Sequence, residues 1–437
     1  MTLRIAGLQL GFALSATASA SAQTCNLTWQ LIGPLGVFGD SGTALIEHDI
    51  DGDGPMGPVL VSAGNQGNTP KWWDGSAWQE LTSASPAARI LECDALGATA
   101  FDFDGPGNEP ASLVLCGWFR MSDGTTYSVI RWDGLRWSAL LDSNRVESVI
   151  AFDPDEDGPD PERLFALGSY FDLPSGTQRG VVMWNGAEWV GTGFPTTWVI
   201  PSIWGGRFGR FDFDGPGPLP AELVIAGGFN TFLSGPRRGG VARWQVGAWT
   251  FDGVGIPQFH MNRDFIDALA EYDFDGDGPL PPRLVAAGTR SETDIPAAWI
   301  AYLDGSTWVP LAVPVSGAGF IFDLEVLDAD GDGPEPERLY AAGEFIMHRY
   351  VGPGWQQVTS PRTMLSGYEM LPTVWNGRPS LVVGGVLNAT GLPRTVAVLR
   401  GCGPDCIGDF DENRTVNLAD LALLLANFGS NESSTDL

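Results

Sequence analysis

The C-terminal segment contains the residues best suited to binding a metal ion. Six residues that carry ligand oxygens recur across one short loop: Asp409, Asp411, Asn413, Thr415, Asn417 and Asp420. Thr415 would supply a backbone carbonyl and the others side-chain oxygens, which is how a loop of about twelve residues surrounds one calcium ion. The sequence therefore predicts a Ca²⁺ site within residues 402–437.

A short apolar helix should follow this loop. Four apolar side chains recur at helical spacing: Leu421, Leu424, Leu425 and Phe428. The pattern from Gly408-Asp409 to Asp420-Leu421 resembles a dockerin type I repeat, a form of EF-hand, and this resemblance implies calcium and a cohesin-like partner. Dockerins carry two such repeats, and one precedes Leu437 here. The helix then packs on the rest of the protein, pairs with another chain, or belongs to a truncated module.

Three further loops read Asp-x-Asp-Gly-Asp-Gly. Their aspartates are Asp49, Asp51 and Asp53, then Asp273, Asp275 and Asp277, then Asp328, Asp330 and Asp332. This spacing turns successive carboxylates toward one hard cation, and it resembles the calcium loops of FG-GAP repeats. Those repeats add a later acidic ligand, where this chain has Gly57, Pro281 and Pro336. The alternative is a solvated turn in which each aspartate accepts hydrogen bonds from its own backbone.

These loops belong to a unit that is repeated six times. The acidic signature starts every 51 to 61 residues, at Asp49, Asp102, Asp153, Asp212, Asp273 and Asp328. A tryptophan closes each unit, at Trp78, Trp137, Trp189, Trp249, Trp308 and Trp355. Each unit holds four short strands, which in the fourth copy are 207–211, 223–228, 241–244 and 248–251. Repeated four-stranded units of about 50 residues predict an all-β fold, the β-propeller.

A seventh, incomplete unit and the N-terminal strand should close the ring. Ser380–Gly385 and Thr395–Arg400 match the second and third strands of the unit, but no tryptophan strand follows them. Thr28–Ile32 matches the missing strand, so it would complete the last sheet and remove the exposed edges. We expect a seven-bladed β-propeller over residues 23–401, with six blades as the alternative.

The strand sequences also carry a family resemblance. Ala226-Gly-Gly-Phe229 followed by Val241-Ala-Arg-Trp244 resembles Kelch- or Rax2-like repeats of secreted propellers. This resemblance covers nearly all of residues 25–401 and implies a fold rather than an activity.

Composition excludes two classes of partner. The chain has 437 residues, of which 24 are basic and 53 acidic, so its net charge is −29 and its pI about 4.2. Such a charge repels the phosphates of nucleic acids and the anionic surface of membranes. Seventeen tryptophans and 23 phenylalanines supply material for a core despite the many glycines and prolines.

The N-terminus predicts export. Residues 1–22 contain Arg4, a short apolar stretch and the cleavage site Ala20-Ser21-Ala22, which together describe a signal peptide. The mature protein would be secreted to the extracellular space, the cell surface or the periplasm, and no later segment is apolar enough to span a membrane. Five cysteines then favour disulfides, with Cys25 and Cys402 as a clasp between adjacent strands.

Two functions fit these features. The first is a non-enzymatic scaffold that binds or displays a protein or glycan ligand on the propeller face, with the calcium-binding tail for attachment or assembly. The second is a polysaccharide-active hydrolase or lyase that uses propeller carboxylates. Six units share one acidic loop, whereas an active site needs one irregular set of residues, so the first is favoured. We expect Trp118, Trp198 and Trp204 to fill space between blades rather than to stack on sugars.

Overall fold

A computed structural model of this chain describes a defined set of residues. They are 27–34, 44–52, 54–64, 69–105, 107, 109–143, 145–155, 160–195, 206–215, 217, 219–230, 237–245, 247–251, 265–276, 278–290, 297–311, 320–331, 335–343, 346–352, 354–358, 365–387, 395–402, 418, 421, 422 and 425.

From residue 27 to residue 402 the described residues form strands and one 3-10 turn, Pro86–Ala88. The first strand is β1 (Thr28–Pro34). Blade 1 contains β2 (Ala44–His48), β3 (Val59–Ala63), β4 (Lys71–Trp73) and β5 (Trp78–Glu80). Blade 2 contains β6 (Ile90–Phe101), β7 (Ser112–Met121), β8 (Thr126–Trp132) and β9 (Trp137–Leu141). Blade 3 contains β10 (Val146–Phe152), β11 (Arg163–Leu173), β12 (Gly176–Trp184) and β13 (Trp189–Gly191).

The later blades follow the same order. Blade 4 contains β14 (Gly206–Phe211), β15 (Glu222–Asn230), β16 (Arg237–Gln245) and β17 (Ala248–Phe251). Blade 5 contains β18 (Phe265–Tyr272), β19 (Arg283–Arg290), β20 (Ala297–Asp304) and β21 (Thr307–Leu311). Blade 6 contains β22 (Ile321–Leu327), β23 (Arg338–Gly343), β24 (Ile346–Val351) and β25 (Gly354–Gln357). Blade 7 contains β26 (Leu365–Trp375), β27 (Arg378–Leu387) and β28 (Thr395–Arg400).

The N-terminal strand completes the seventh blade, as the sequence predicts. β1 pairs antiparallel with β28, and Trp29 lies opposite Leu399 in this register. The described strands thus form seven four-stranded antiparallel sheets, so the fold is a seven-bladed β-propeller and the six-bladed alternative is wrong. The predicted strands of the fourth unit are also confirmed, the first three extended by one to five residues and the fourth unchanged.

The core lies between neighbouring sheets. Leu45 and Leu60 of blade 1 pack against Val382, Val396 and Val398 of blade 7, and each later pair of blades has a similar apolar cluster. Both faces of an inner strand meet another blade, so its sequence is a continuous apolar run. Burial of these side chains is the main force that holds the ring together.

In blades 1 to 4 the closing tryptophan connects the blade to the one before it, whereas the buried indole nitrogens of Trp308 and Trp355 have no hydrogen-bond partner among the described residues. The indole nitrogen of Trp137 in blade 2 donates a 2.8 Å hydrogen bond to the carbonyl oxygen of Leu81, which follows β5 of blade 1. Trp78 donates in the same way to Ile32 at 2.7 Å, and Trp189 to Leu140 at 3.0 Å. These large side chains therefore bury apolar area and satisfy their polar atom at the same boundary between blades.

Within each blade the chain runs up and down between adjacent strands. The acidic loop joins the first two strands and the Asp-Gly or Asn-Gly turn joins the last two, so both lie on one face of the disc. Gly134 and Gly186 of these turns have φ of 90° and 98°, a conformation that glycine adopts without a steric penalty. No helix among the described residues is long and apolar enough to cross a lipid bilayer.

Candidate functional site

The innermost strand of each blade lines a central channel, and charged side chains occupy these strands. A cavity of about 200 Å³ lies where blades 2 to 7 meet. Five charged residues line it: Arg207, Asp267, Asp323, Glu325 and Glu369. The aromatic side chains of Phe208 and Phe322 form part of the same wall. Four carboxyl groups therefore share a small cavity with one guanidinium group.

Backbone irregularities help to place these side chains. The pairing register shifts between Val146 and Ser148 on β10 and between Ile266 and Ala268 on β18, at the positions of Glu147 and Asp267. It also shifts just before Asp323 on β22 and just before Glu369 on β26. A β-bulge re-aims the side chains beside it, and bulges are frequent next to binding sites.

Hydrogen bonds hold the carboxyl groups in place. The Asp323 carboxylate accepts from the backbone nitrogen of Leu324 at 2.9 Å and from that of Met370 on the next blade at 2.6 Å. Glu369 accepts from the backbone nitrogen of Leu45 at 3.4 Å. Asp267 accepts from the hydroxyl of Thr289 at 3.2 Å. These bonds use only part of the acceptor capacity of each carboxylate, which leaves oxygens to contact a ligand.

Burial changes the acid–base behaviour of the cavity. It raises the pKa of Asp267 and that of Asp323 to about 7. Burial, followed by the carboxylate of Asp323, raises the pKa of Glu325 and of Glu369 well above the ordinary value. A low-dielectric channel disfavours several adjacent negative charges, and one Arg207 compensates only part of this cost.

A second charged network continues around the channel through blades 2 and 3. The Arg145 guanidinium lies 3.7 Å from an oxygen of Asp94 and 3.6 Å from one of Glu147. Arg207 donates to the backbone carbonyl of Glu147 at 3.3 Å, which links this network to the cavity. Positive and negative charges alternate here, whereas the wall of blades 5 to 7 is acidic.

The six acidic loops share one hydrogen-bond pattern. The second aspartate of each loop donates its backbone N–H to the first, for example Asp51 to Asp49 at 3.3 Å. The Oδ2 atom of the second aspartate accepts a hydrogen bond from the backbone nitrogen of the residue five positions later. These donors are Met56, Glu109, Asp160, Leu219, Leu280 and Glu335. The turn-forming role that we kept as the alternative is thus present in every copy.

Three of these loops also hold a buried carboxylate oxygen with no hydrogen-bond partner. It is Oδ1 of the second aspartate, in Asp51, Asp155 and Asp330. Burial, followed by the carboxylate of Asp330, raises the pKa of Asp328, and Asp51 has the same effect on Asp49. An unpaired buried oxygen beside a second carboxylate fits a bound cation. The sequence predicted this for Asp51 and Asp330 but not for Asp155.

Several of the predicted calcium ligands lie outside the residues that the structure describes. Asp53, Asp277 and Asp332 lie outside the described residues, as do all six predicted ligands of the C-terminal loop. Among the residues that are described, no group of three or more His, Cys, Asp or Glu side chains is arranged to hold a metal. In the predicted C-terminal helix, Leu421 and Leu425 are helical and exposed, as are Ala422 and, inside the predicted loop, Leu418. The tail calcium site therefore stays a prediction.

Other residues from the sequence analysis have different outcomes. Trp118 is 38% exposed, so the expectation that it fills space between blades is wrong. Register shifts on both sides of β7, with Gly117 at a φ of 146°, turn it outward opposite Asp94. Trp198 and Trp204 lie outside the described residues. Cys25 also lies outside them, so the Cys25–Cys402 disulfide stays a prediction. Cys93 and Cys116 are buried and form no disulfide within the described part of the chain.

The channel residues were missed at the sequence level, although a signal exists. Four of the first strands carry a charged residue five or six positions before the acidic loop: Glu147, Arg207, Asp267 and Asp323. A charge inside an apolar strand usually indicates a special environment. Aligning the repeats on their acidic loops would have collected these positions.

Comparison with known proteins gives structural similarities at low sequence identity. No protein-family model and no curated protein matches the chain. Among solved structures it is similar to BBS1N, solved in complex with ARL6DN, with 12% identity, a TM-score of 0.48 and coverage of 85% of this chain and 97% of that one. It is similar to Sqt1 from Chaetomium thermophilum, with 12% identity, a TM-score of 0.39 and coverage of 86% and 100%. It is also similar to the six-bladed fucose-binding lectin of Aleuria aurantia, with 12% identity, a TM-score of 0.36 and coverage of 71% and 96%.

Proposed function

We propose that this protein is an exported, non-enzymatic β-propeller that binds a cationic group of a protein or glycan ligand in its central cavity. The observation that carries the proposal is the unequal charge of the wall, where four carboxyl groups face one guanidinium. The signal sequence at residues 1–22 supports export to the extracellular space, the cell surface or the periplasm. The dockerin-like loop supports a calcium-binding tail for attachment or assembly, with a cohesin-like partner.

The cavity suits an ammonium or guanidinium group. Its volume of about 200 Å³ matches one long basic side chain or one amino sugar rather than a larger ligand. Asp323, Glu325 and Glu369 supply acceptors for a charged N–H donor. Phe208 and Phe322 lie in the same wall, and aromatic faces attract organic cations. The group would come from a lysine, an arginine or an amino sugar of the ligand.

The raised pKa values fit such a ligand. Asp267 and Asp323, with a pKa of about 7, hold their protons part of the time at neutral pH. A bound cation would replace those protons and remove the repulsion among the carboxylates. Binding should therefore release protons and weaken as the pH falls from 8 to 6.

A calorimetric titration of the intact protein with 1,5-diaminopentane at pH 8 tests the proposal. This diamine mimics a lysine side chain, and we expect one molecule to bind per chain. The double variant Asp323→Asn/Glu369→Gln should weaken binding by about 30-fold, because two partly desolvated charge pairs of about 1 kcal/mol each are lost. Its melting temperature should not fall, since neutral side chains avoid the cost of buried charge.

Glu188→Gln is the matched control, because it removes one exposed negative charge far from the channel. The control should bind the diamine as the wild type does. Equal affinity in the wild type and the double variant would contradict a site in the cavity. No heat at millimolar diamine would contradict the ligand class.

One observation favours the hydrolase or lyase alternative. An aspartate with a pKa of about 7, such as Asp323, is suited to general acid catalysis at neutral pH. A glycosidase must also place two linked sugar rings across its acids, whereas Asp323 lines a cavity of about 200 Å³. Release of reducing ends from a polysaccharide, abolished by Asp323→Asn, would replace the binding function with an enzymatic one.

A further inference from the structure

Arg207 is the only basic residue among the described residues that line the central cavity. It lies on β14, which pairs with β15 without the register shift found in β10 and β18 of the two neighbouring blades. Two hydrogen bonds attach this part of β14 to β10. The backbone nitrogen of Phe208 donates to the hydroxyl of Ser148 at 3.5 Å, and the Arg207 guanidinium donates to the carbonyl oxygen of Glu147 at 3.3 Å. The guanidinium group is therefore held at a defined place in the wall.

Most of the hydrogen-bonding capacity of Arg207 is not used by the described part of the chain. A guanidinium group has five N–H donors, and the bond to Glu147 takes one of them. Among the described residues, Arg207 forms no second hydrogen bond and no ion pair with the carboxyl groups of the cavity. Its donors are thus available to a ligand.

The charge of Arg207 nevertheless reaches these carboxyl groups. Burial raises the pKa of Asp267, of Asp323 and of Glu369, and the positive charge of Arg207 opposes this rise in all three. Opposite charges therefore face each other across the cavity without forming an ion pair. The space between them suits a ligand that carries a positive and a negative group of its own.

The two parts of the wall would bind different groups of such a ligand. An ammonium group would contact the carboxylates of Asp267 and Asp323. A carboxylate would contact Arg207, because the planar guanidinium binds carboxylates through two parallel hydrogen bonds. A neutral-ring amino sugar such as glucosamine has an ammonium group but no anion for Arg207. Among the basic groups that suit the cavity, the unused guanidinium donors therefore favour an amino acid.

We propose that Arg207 selects a basic amino acid that has a free α-carboxylate. This inference rests on the proposed function, because it names the chemical class of the group that enters the central cavity. The amino acid is either free or the C-terminal residue of a protein, since both carry the ammonium and the carboxylate. The other role for Arg207 is to offset the charge of the buried acids, and that role predicts the opposite ligand preference.

Calorimetric titrations of the intact protein with L-lysine and with 1,5-diaminopentane at pH 8 test the proposal. The diamine is lysine without its carboxylate, so the two probes share both ammonium groups and differ in one group. We expect lysine to bind about tenfold more tightly, because it gains a charge-assisted pair with Arg207. If Arg207 only offsets the buried acids, lysine should bind more weakly than the diamine, since the acids repel its carboxylate.

Variants of Arg207 should change this preference in a defined way. Arg207→Gln should bind the diamine at least as tightly as the wild type does and lysine more weakly than the diamine. Its binding of the diamine also shows that the variant folds. Arg207→Lys keeps the charge without the two-pronged geometry, so it should keep a smaller preference for lysine. Arg136→Gln is the matched control, because it removes an exposed positive charge in the turn between β8 and β9, outside the cavity. This control should keep the tenfold preference.

Two further probes distinguish a free amino acid from the end of a chain. Nα-acetyl-L-lysine imitates a C-terminal lysine, and Nα-acetyl-L-lysinamide imitates a lysine inside a chain. Binding of the acetylated acid as tight as that of lysine would assign the cavity to a C-terminal residue. Much weaker binding would assign it to the free amino acid. Tighter binding of the acetylated amide than of the acetylated acid would contradict a role for the carboxylate.

Three other results would overturn the proposal. Lysine that binds no more tightly than the diamine in the wild type would remove the role of Arg207 and leave the proposed function intact. An unchanged preference in Arg207→Gln would place the carboxylate contact elsewhere. Tighter binding of D-glucosamine than of lysine would assign the cavity to an amino sugar. If neither lysine nor the diamine gives heat, the proposed function itself fails, so the two failures are distinguishable.

Discussion

The melting temperature should rise by at most about 4 °C as the pH falls from 8 to 5.5, because the carboxyl groups of the channel take up protons in the folded state. Burial raises the pKa of Asp267 and of Asp323 to about 7 from an ordinary value of 3.8. At pH 8 both groups are ionised in the folded and unfolded states, and the folded state bears the cost of buried charge. As the pH falls through 7, only the folded state binds protons, so its stability increases. Two such groups give at most about 4 kcal/mol at pH 5.5, which in a chain of this size is about 4 °C.

Two histidines oppose this trend at lower pH. Burial lowers the pKa of His48 and of His348 from 6.5, so protonation below that value favours the unfolded state. Stability should therefore pass through a maximum in mildly acidic solution. The Asp267→Asn/Asp323→Asn variant separates the two causes, because it should melt higher at pH 8 and lose most of the rise. A rise of the same size in this variant would show that other groups titrate.

Replacing Trp137 by alanine should lower the free energy of unfolding by about 4 kcal/mol, as measured by urea denaturation. Trp137 is 1% exposed and packs against Trp132, with ring centroids 5.3 Å apart. The substitution opens a cavity between blades 1 and 2, and truncation of a buried tryptophan costs about 3–5 kcal/mol. It also removes the indole donor of the 2.8 Å bond to Leu81, whose carbonyl is then left without that partner.

Trp118→Ala is the control of equal size. That side chain is 38% exposed at the end of β7, so its loss should cost less than about 1 kcal/mol. Similar losses in the two variants would contradict the claim that the closing tryptophans hold neighbouring blades together.

Local sequence patterns predicted most of the fold. Turn glycines, the closing tryptophans and the apolar strands recur in each copy, so the order of strands follows from one unit. The position of β1 followed from the similarity of Thr28–Ile32 to the tryptophan strand, and its pairing with β28 is confirmed. Each of these features depends on contacts within one blade or between neighbouring blades.

The central cavity was not predicted, because it depends on residues from different blades. Arg207 and Glu369 are far apart in sequence and meet only when the ring closes. The sequence indicated the acidic loops as binding sites instead, because the carboxylates of each loop lie within one short segment. Even there, the sequence did not distinguish the buried Asp330 from the exposed Asp275, because the contact of Gly401 with Ala329 forms only when blades 6 and 7 pack together.

The central claim is that the cavity in the channel binds an organic cation. A crystal structure of the intact protein grown with 1,5-diaminopentane at pH 8 tests it most directly. We predict density for the diamine inside the cavity, with one ammonium group within hydrogen-bond distance of Asp323, Glu325 or Glu369. Density for the diamine only on the outer surface, with solvent alone between these carboxylates, would contradict the account.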